Sequence, residues 1–200
     1  METTHTVHLN RITGYGHENI PNIGFKLMEF AMKISDLFVG QSERNFSRLP
    51  LKEGQIVVDY GCGPARYVKN ASETVGPNGK VFAIDIHPMA ISNVNRKIEK
   101  HGLTNVEALQ ADGYSCALPN RIADVVYALD MFHMIEQPTE LIRELARIVM
   151  FHGIIVIEDG HQSRAETLEK IKASGLLCVC SENKHHVVCK LKETKCLPPA

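Results

Sequence analysis

The feature that most constrains the fold is a regular alternation of short β-branched runs and helical segments. Five runs rich in Val and Ile have the length of buried strands, at 55–60, 80–86, 105–112, 123–130 and 153–160. Helical segments separate several of them, at 65–75, 90–101, 140–150 and 163–174. Strands that alternate with helices form a parallel sheet with helices on both faces, so we predict an α/β fold.

The last two strand-like runs break this alternation. They are "LLCVCS" (176–181) and "HVVCKLK" (186–192), and only "ENKH" lies between them. A parallel crossover needs a dozen or more residues, so a link this short joins antiparallel strands. The prediction is a mostly parallel seven-stranded sheet, in which five parallel strands are followed by a hairpin and the last strand is antiparallel.

The composition limits the classes of protein to which the chain can belong. Its 200 residues, 44% hydrophobic and 22% charged, suit one domain with a substantial core. A net charge of −1 gives no reason to expect a nucleic-acid partner. No apolar run reaches the ~20 residues that span a bilayer, and the polar N-terminus lacks the apolar core of a signal peptide. We expect a cytoplasmic protein without stable membrane insertion, whose six cysteines are reduced.

An amphipathic helix is predicted over residues 25–39. The apolar residues at helical spacing share one face: Leu27, Phe30, Ala31, Ile34, Leu37 and Phe38. The charged residues fall on the other face: Lys26, Glu29, Lys33 and Asp36. Such a helix packs its apolar face against protein or, as a second interpretation, docks on a membrane surface.

The stretch "VVDYGCGPARY" (57–67) reads as a buried strand that ends in a glycine-rich turn. Gly61 and Gly63 allow a tight turn and the close approach of a ligand, because neither has a Cβ atom. The next helix is expected to begin near Pro64, with its N-terminus facing the ligand. A dinucleotide-binding turn has a small residue at the third position of G-x-G-x-x-G, where this chain has Arg66. The turn alone leaves the identity of the nucleotide open.

Acidic residues follow the next two strands. Asp85 ends the second strand, where a carboxylate can accept hydrogen bonds from both hydroxyls of a ribose. Asp112, followed by Gly113, ends the third strand and could accept from an adenine amino group. Both NAD and S-adenosylmethionine contain these groups. The acid after the third strand, Asp112, together with Arg66 and the closing hairpin, favours S-adenosylmethionine.

These motifs resemble those of the class I S-adenosylmethionine-dependent methyltransferases, in particular the small type-11 group that includes quinone-biosynthesis methyltransferases. The resemblance covers about residues 51–191, through "VVDYGCGPARY", "VFAIDIHP", "ALQADG", "DVVYALDMFHMI" and "ARIVMFHGIIVIEDG". The chain departs from the family where Met150, Phe151 and His152 replace a basic-proline-glycine run, and where Ala65 replaces a glycine or threonine. The resemblance implies a Rossmann-like methyltransferase sandwich that binds S-adenosylmethionine and releases S-adenosylhomocysteine.

The resemblance also implies cofactor contacts. The residues concerned are Asp59, Tyr60, Gly61, Cys62, Gly63, Asp85, Ile86, Asp112, Gly113 and Leu129. Those of the glycine turn would surround the methionine part of the cofactor. Asp85 would hold the ribose, Ile86, Asp112 and Gly113 would bound the adenine, and Leu129 would lie beside the transferred methyl group.

Two stretches beyond the strand ends offer residues for the acceptor side. In "ALDMFHMI" and "EDGHQSR" we predict Asp130, His133 and His161 as catalytic candidates, since histidine titrates near neutrality. The candidates for substrate contact in the same stretches are Phe132, Gln162 and Arg164. The alternatives are a histidine that packs against the next helix and an arginine that is only a solvated charge of that helix's first turn.

In the resembling family, N-terminal segments often cover the pocket. We hypothesise that Tyr15, His17 and the 25–39 helix form such a lid and also contact substrate. The predicted organisation is a lid segment over 1–45, a methyltransferase domain over 46–193 and a tail over 194–200.

The last quarter of the chain is rich in thiols and imidazoles: Cys178, Cys180, His185, His186, Cys189 and Cys196. They could bind zinc or a thiophilic substrate, but the C-x-C spacing is unlike the usual C-x₂₋₄-C of a zinc site. Strand alternation places Cys178 and Cys180 on one face, where both would be core residues. We therefore predict no metal.

The predicted function is methyl transfer from S-adenosylmethionine to a small molecule. Two alternatives remain at this point. One is a protein that binds the cofactor or a metal without catalysis, and the other is an NAD-dependent oxidoreductase on the same fold. The sequence does not indicate the acceptor atom or the oligomeric state.

Overall fold

The computed structural model describes residues 20–192 and contains one seven-stranded sheet. Its strands lie in the order β3-β2-β1-β4-β5-β7-β6. Their bounds are β1 Ile56–Tyr60, β2 Lys80–Asp85, β3 Val106–Gln110, β4 Ala123–Ala128, β5 Val149–Glu158, β6 Leu177–Glu182 and β7 His186–Leu191. Strands β1 to β5 pair in parallel, whereas β7 is antiparallel to both β5 and β6. The predicted fold class is confirmed.

The helices lie on both faces of the sheet. Their bounds are α1 Asn22–Val39, α2 Gln41–Phe46, α3 Val68–Val75, α4 Pro88–His101, α5 Pro138–Ile148 and α6 Arg164–Ser174, with a 3₁₀ turn at Phe132–Met134. Ser163 caps α6 together with Glu166 in a capping box, as their spacing predicts. Across residues 20–192, no helix combines the length and the apolar character needed to cross a membrane.

Two apolar clusters hold the helices to the sheet. Alternate strand residues point to opposite faces, so Val57 and Val81 belong to one cluster while Val58 and Phe82 belong to the other. From β1 the chain adds β2 and β3 on one side, and it then returns to add β4 and β5 on the other side of β1. The strand order therefore reverses between β1 and β4. Open α/β sheets bind ligands at the carboxyl ends of the strands beside such a point.

The apolar face of α1 is not the face that packs on the protein. Leu27, Phe30, Leu37 and Phe38 are 65–78% exposed, and Ala31 and Ile34 are also exposed. The helix is attached instead by Phe25, whose buried ring stacks on His87 at 4.3 Å, and by Asp36, which bonds to Arg66. The periodicity identified the helix, but one aromatic contact and one ion pair set its rotation.

Two local expectations are wrong. Cys178 and Cys180 are exposed rather than buried, because β6 is an edge strand on which only Leu177 is covered. The helix after the glycine turn begins at Val68, not near Pro64. The intervening residues extend the turn, and Ala65 adopts a left-handed conformation with φ of 61°.

Candidate functional site

The turn after β1 lies at the carboxyl ends of the central strands. The backbone N–H groups of Gly61 and Cys62 donate to the carbonyl of Ile84, at 2.8 and 2.9 Å, which ties the turn to β2. Gly61 has φ of 79°, and a Cβ atom there would lie 2.8 Å from the side chain of Met131. A larger residue here would be strained at this positive φ and would displace the Met131 side chain, so the position favours glycine.

Asp85 connects the turn to the start of α4. One carboxylate oxygen accepts from the N–H of Gly63 and the other from the N–H of His87, both at 2.8 Å. Burial raises the pKa of Asp85, although the two backbone donors oppose this rise. Each carboxylate oxygen has two lone pairs, so the group retains acceptor capacity for a ribose hydroxyl.

Asp59 is a fully buried carboxyl group beside this turn. Its pKa is raised to about 8, mainly by burial and in addition by the charges of Asp85 and Asp130. The hydroxyl of Tyr127 opposes the rise but is outside hydrogen-bonding geometry, since neither it nor Asp59 Oδ2 has a partner among the described residues. Three carboxyl groups therefore act on one small region, where the charge of Lys97 offsets only part of the rise in the pKa of Asp59.

This region fits S-adenosylmethionine. The cofactor carries a sulfonium and an ammonium group, and a cation near Asp59 would favour its ionised form. Gly61 and Gly63 leave room for a close approach, and Asp85 offers ribose acceptors. Ile86 is half-buried at the end of β2, while Asp112 and Gly113 are exposed at the end of β3, on the side predicted for the adenine. Leu129 is buried at the end of β4.

The side chains of Tyr60 and Cys62 face the protein. The Tyr60 hydroxyl donates to the carbonyl of Tyr114 at 2.7 Å, and Cys62 is packed in the apolar cluster beneath α1. Their predicted cofactor contacts are therefore limited to the backbone of the turn.

Arg66 joins the glycine turn to α1 and to the end of β4. Its Nε donates to Asp36 at 2.9 Å and its NH1 donates to Asp130 at 2.7 Å, while the side chain is only 8% exposed. Tyr67 donates its hydroxyl to the same Asp130 oxygen. The bulky cation that conflicts with a dinucleotide turn thus has a defined structural role.

A cavity of about 570 Å³ opens beside Asp130, between the α1–α2 segment and the carboxyl ends of β4 and β5. All three predicted catalytic residues line it, namely Asp130, His133 and His161. The His133 and His161 rings meet edge to face at 4.9 Å. Burial lowers the pKa of His133, and so does the neighbouring His161, so His133 is neutral at pH 7. Its Nδ1 has no partner among the described residues.

Glu158, at the end of β5, is a cavity residue that the sequence interpretation missed. Its carboxylate accepts from Asn45 Nδ2 and from the N–H of Asp130, both at 2.7 Å. Burial raises its pKa to about 7, and the Asp130 charge contributes. The signal was present in "VIEDG", because the rule that selected Asp85 applies equally to an acid at the end of the fifth strand.

The structure places three predicted substrate residues away from the cavity. Phe132 is completely buried in the core. Gln162 bonds to Thr167 and Lys170 on α6. Arg164 donates to Asp159, Glu182 and the carbonyl of Asn183. The guanidinium fastens α6 to the β6–β7 turn, because that turn brings an acid and a carbonyl within its reach. The predictions for these three side chains are corrected accordingly.

The remaining sequence candidates are the N-terminal residues and the Cys/His group of the last quarter of the chain. Tyr15, His17 and Cys196 lie outside the described residues. Within the described part of the chain, no three His, Cys, Asp or Glu side chains are grouped closely enough to hold a metal ion. The exposed thiols of Cys178 and Cys180 contact backbone carbonyls instead.

The sheet order, the antiparallel β7 and the acidic glycine turn define an α/β protein of the methyltransferase class. A family model described as "Methyltransferase domain" matches residues 51–196. The chain belongs to this family, which places it among the class I S-adenosylmethionine-dependent methyltransferases.

Curated relatives carry different activities in their names. A demethylmenaquinone methyltransferase of Geobacillus stearothermophilus is 25% identical over 115 residues, which are 58% of this chain and 49% of the relative. A protein-L-isoaspartate O-methyltransferase of Methanococcoides burtonii is 28% identical over 132 residues, which are 64% of this chain and 60% of the relative. The chain thus spans about half to three-fifths of the length of these relatives.

Solved structures match over a larger share of the chain. An S-adenosylmethionine-dependent methyltransferase from Aquifex aeolicus is 25% identical with a TM-score of 0.68, covering 82% of this chain and 95% of that one. A methyltransferase of Haloferax volcanii, solved in complex with the Trm112 activator, is 18% identical with a TM-score of 0.65. The match covers 88% of this chain and 83% of the solved chain, and at this identity it supports the fold alone.

Proposed function

We propose that the protein transfers a methyl group from S-adenosylmethionine to a small molecule bound in the cavity beside β4 and β5. The observation that carries this proposal is the position of Asp130. Asp130 bonds to Arg66 of the cofactor turn and also lines the cavity. The cofactor region and the cavity are therefore contiguous, as direct transfer between two bound molecules requires.

S-adenosylmethionine, when bound, supplies an electrophilic methyl group on sulfur. The residues proposed to hold it are those of the glycine turn, with Asp85 for the ribose and Ile86, Asp112 and Gly113 for the adenine. Leu129 borders the methyl side. The protein's own contribution is to align the acceptor and to exclude water.

Two cavity residues are suited to accept a proton from the acceptor. His133 lines the cavity and is neutral at pH 7, because burial and His161 lower its pKa, and its buried Nδ1 has no partner among the described residues. Glu158 has a pKa of about 7 and lines the same cavity. Asp130 is occupied by Arg66 and Tyr67, so we assign it a positioning role rather than that of a base.

The cavity supports a small-molecule acceptor rather than a protein chain. Its volume of about 570 Å³ falls within the range of small-ligand sites, which is about 300–1,000 Å³. The net charge of −1 also gives no support to a nucleic-acid acceptor. The five described cysteines are free thiols, in keeping with the proposed cytoplasmic location.

We also propose that the N-terminal region acts as a lid over this site. Helix α1 already contributes Met28 and Met32 to the cavity and stacks Phe25 on His87 beside the predicted ribose site. Tyr15 and His17 immediately precede it in sequence. Deletion of residues 1–24 is expected to weaken cofactor binding and turnover, and unchanged values of both would refute the lid.

Calorimetry with S-adenosylmethionine, S-adenosylhomocysteine and NAD tests the cofactor, and a screen of acceptors with methyl-labelled S-adenosylmethionine tests the reaction. We expect both adenosyl ligands to bind and NAD not to bind. An Asp85→Ala variant serves as the binding-deficient control. Binding of NAD without binding of S-adenosylmethionine would refute the proposal, and cofactor binding without labelled product from any acceptor would favour a non-catalytic role.

A further inference from the structure

The rim of the acceptor cavity brings basic side chains together from two distant parts of the chain. Arg44 lies on α2 and Arg48 just after it, while Lys184 and His185 come from the turn between β6 and β7. All four line the same cavity as Asp130 and Glu158. Tertiary packing alone produces this group, since no short sequence motif contains it.

These cations have no carboxylate partner among the described residues. Four other arginines are paired with carboxylates: Arg66 with Asp36 and Asp130, Arg143 with Glu140, Arg147 with Glu144, and Arg164 with Asp159 and Glu182. No such ion pair involves Arg44, Arg48 or Lys184 in residues 20–192. An unpaired guanidinium retains its planar fork of donors, which matches a carboxylate or phosphate.

The positive charge of the rim acts on its neighbours. Burial lowers the pKa of His185, and the charges of Arg48 and Lys184 lower it further. Burial and the charge of Arg48 likewise lower the pKa of the buried His186 to about 4. Both imidazoles are therefore neutral at pH 7, so neither adds a charge beside Arg48 and Lys184.

The acids near the cavity are already committed elsewhere. Asp130 is paired with Arg66, and Asp159 is paired with Arg164. Glu158, with a pKa of about 7, carries only part of a negative charge at neutral pH and accepts from Asn45. The rim is thus a net positive region at the mouth of the cavity.

Part of the cavity wall is apolar. Met28 and Met32 of α1 and Met134 of the 3₁₀ turn line it. Methionine side chains adapt to irregular apolar surfaces, so they suit the body of a ligand rather than its charged group.

We propose that the acceptor is a small amphipathic anion whose carboxylate or phosphate group is bound at the rim by Arg44, Arg48 and Lys184. Its apolar body packs on Met28, Met32 and Met134, so that its far end points into the interior of the cavity. The proposal rests on the proposed function, because it specifies the substrate class of that same cavity. A neutral acceptor would leave three cations at the mouth without a partner.

Three probes of similar size separate charge from shape: phenyl phosphate, benzoate and its neutral counterpart benzamide. Their binding is followed by the imidazole NMR signals of the protein saturated with S-adenosylhomocysteine, at constant ionic strength. The rim variants are Arg48→Met and Lys184→Met, which keep an apolar stem of similar length. The control is Arg96→Met, since Arg96 is an exposed arginine on α4 that does not line the cavity. Thermal unfolding of each variant checks that it is folded.

We expect at least one anion to bind tenfold or more tightly than benzamide. A charge-assisted hydrogen bond contributes about 1.5–3 kcal/mol, so each rim variant should weaken the anion by about 10- to 150-fold. Arg96→Met should have no effect. The better of the two anions identifies the group as phosphate or carboxylate.

Three results would overturn the proposal: benzamide binding as tightly as both anions, anion binding that the rim variants leave unchanged, or an equal loss in Arg96→Met. Calorimetry with S-adenosylhomocysteine on the same samples separates this failure from that of the proposed function. If the cofactor product binds and the anions do not, only the rim assignment is wrong. If the anions bind but calorimetry shows no binding of the added cofactor product, the proposed methyl transfer at this cavity is wrong and the rim assignment stands.

Discussion

Arg66 should be the residue on which the attachment of α1 to the site depends. Its side chain is 8% exposed and bridges Asp36 of α1, 27% exposed, to Asp130, 18% exposed. The substitution Arg66→Met keeps the apolar stem but removes the guanidinium that pairs with both largely buried carboxylates. Breaking a buried pair in this way costs about 3–5 kcal/mol, and the partial exposure of Asp36 places our expectation at about 3 kcal/mol.

Urea unfolding measures this loss directly. For a chain of this size, 3 kcal/mol corresponds to a fall in Tm of about 6–12 °C, which leaves a typically stable domain folded at 25 °C. Amide exchange should become faster in α1 but not in α6, because only α1 is attached through Arg66. Arg143→Met is the matched control: Arg143 is an exposed arginine paired with Glu140, and its loss should not change stability measurably.

A double-mutant cycle distinguishes the ion pair from lost packing. Asp36→Asn removes the carboxylate charge, so Arg66→Met should cost about 1–3 kcal/mol less in that background. The same interaction predicts the pH response. Burial raises the pKa of Asp36, but the contacts with Arg66 outweigh burial and lower this pKa below 3.8. The stability that the ion pair contributes is therefore fully present above pH 4 and is lost as pH falls through the lowered pKa. A loss under about 1 kcal/mol in Arg66→Met, or no coupling to Asp36, would refute this reasoning.

Further outcomes are expected at three other residues. Asp85→Ala should weaken S-adenosylmethionine binding by about 1–3 kcal/mol in calorimetry, and unchanged affinity would contradict its ribose role. The pKa of Asp59 is 3.8 in an unfolded chain and about 8 in the fold, so the free protein should lose stability as pH rises through that range. Binding of the cationic cofactor at pH 7 should then release a proton from Asp59. The measured binding enthalpy should therefore differ between phosphate and Tris buffers for the native protein, but not for the Asp59→Asn variant. If Glu158 accepts the acceptor's proton, Glu158→Gln should lower kcat by 10²-fold or more. The pH–rate profile of this variant should also lose the ascending limb near pH 7. An intact limb would assign the proton to another group.

The fold was predictable because its signals are local. Apolar runs at 56–58 and 154–157 are buried strands, and a four-residue link can close only a hairpin. The cofactor turn was predictable for the same reason, since Gly61 and Asp85 occupy positions that chain order alone places at neighbouring strand ends.

The acceptor side was predicted less well because its side chains choose partners from remote elements. Arg164 was selected as a free cation, but the β6–β7 turn brings Glu182 and the Asn183 carbonyl to it. Arg48, which the sequence interpretation passed over, lies at the cavity because α2 packs there. Charge in a sequence does not reveal which cations are paired.

The sequence by itself determined the order of strands and helices, the glycine turn and the acids that follow the strands. These features depend on hydrophobic period and backbone geometry, which act over a few residues. The tertiary structure alone decided which face of α1 is covered, how Arg66 is paired and which basic residues remain unpaired at the cavity. Those outcomes depend on contacts between residues far apart in the chain, where a single stacked ring or ion pair can determine how an element packs.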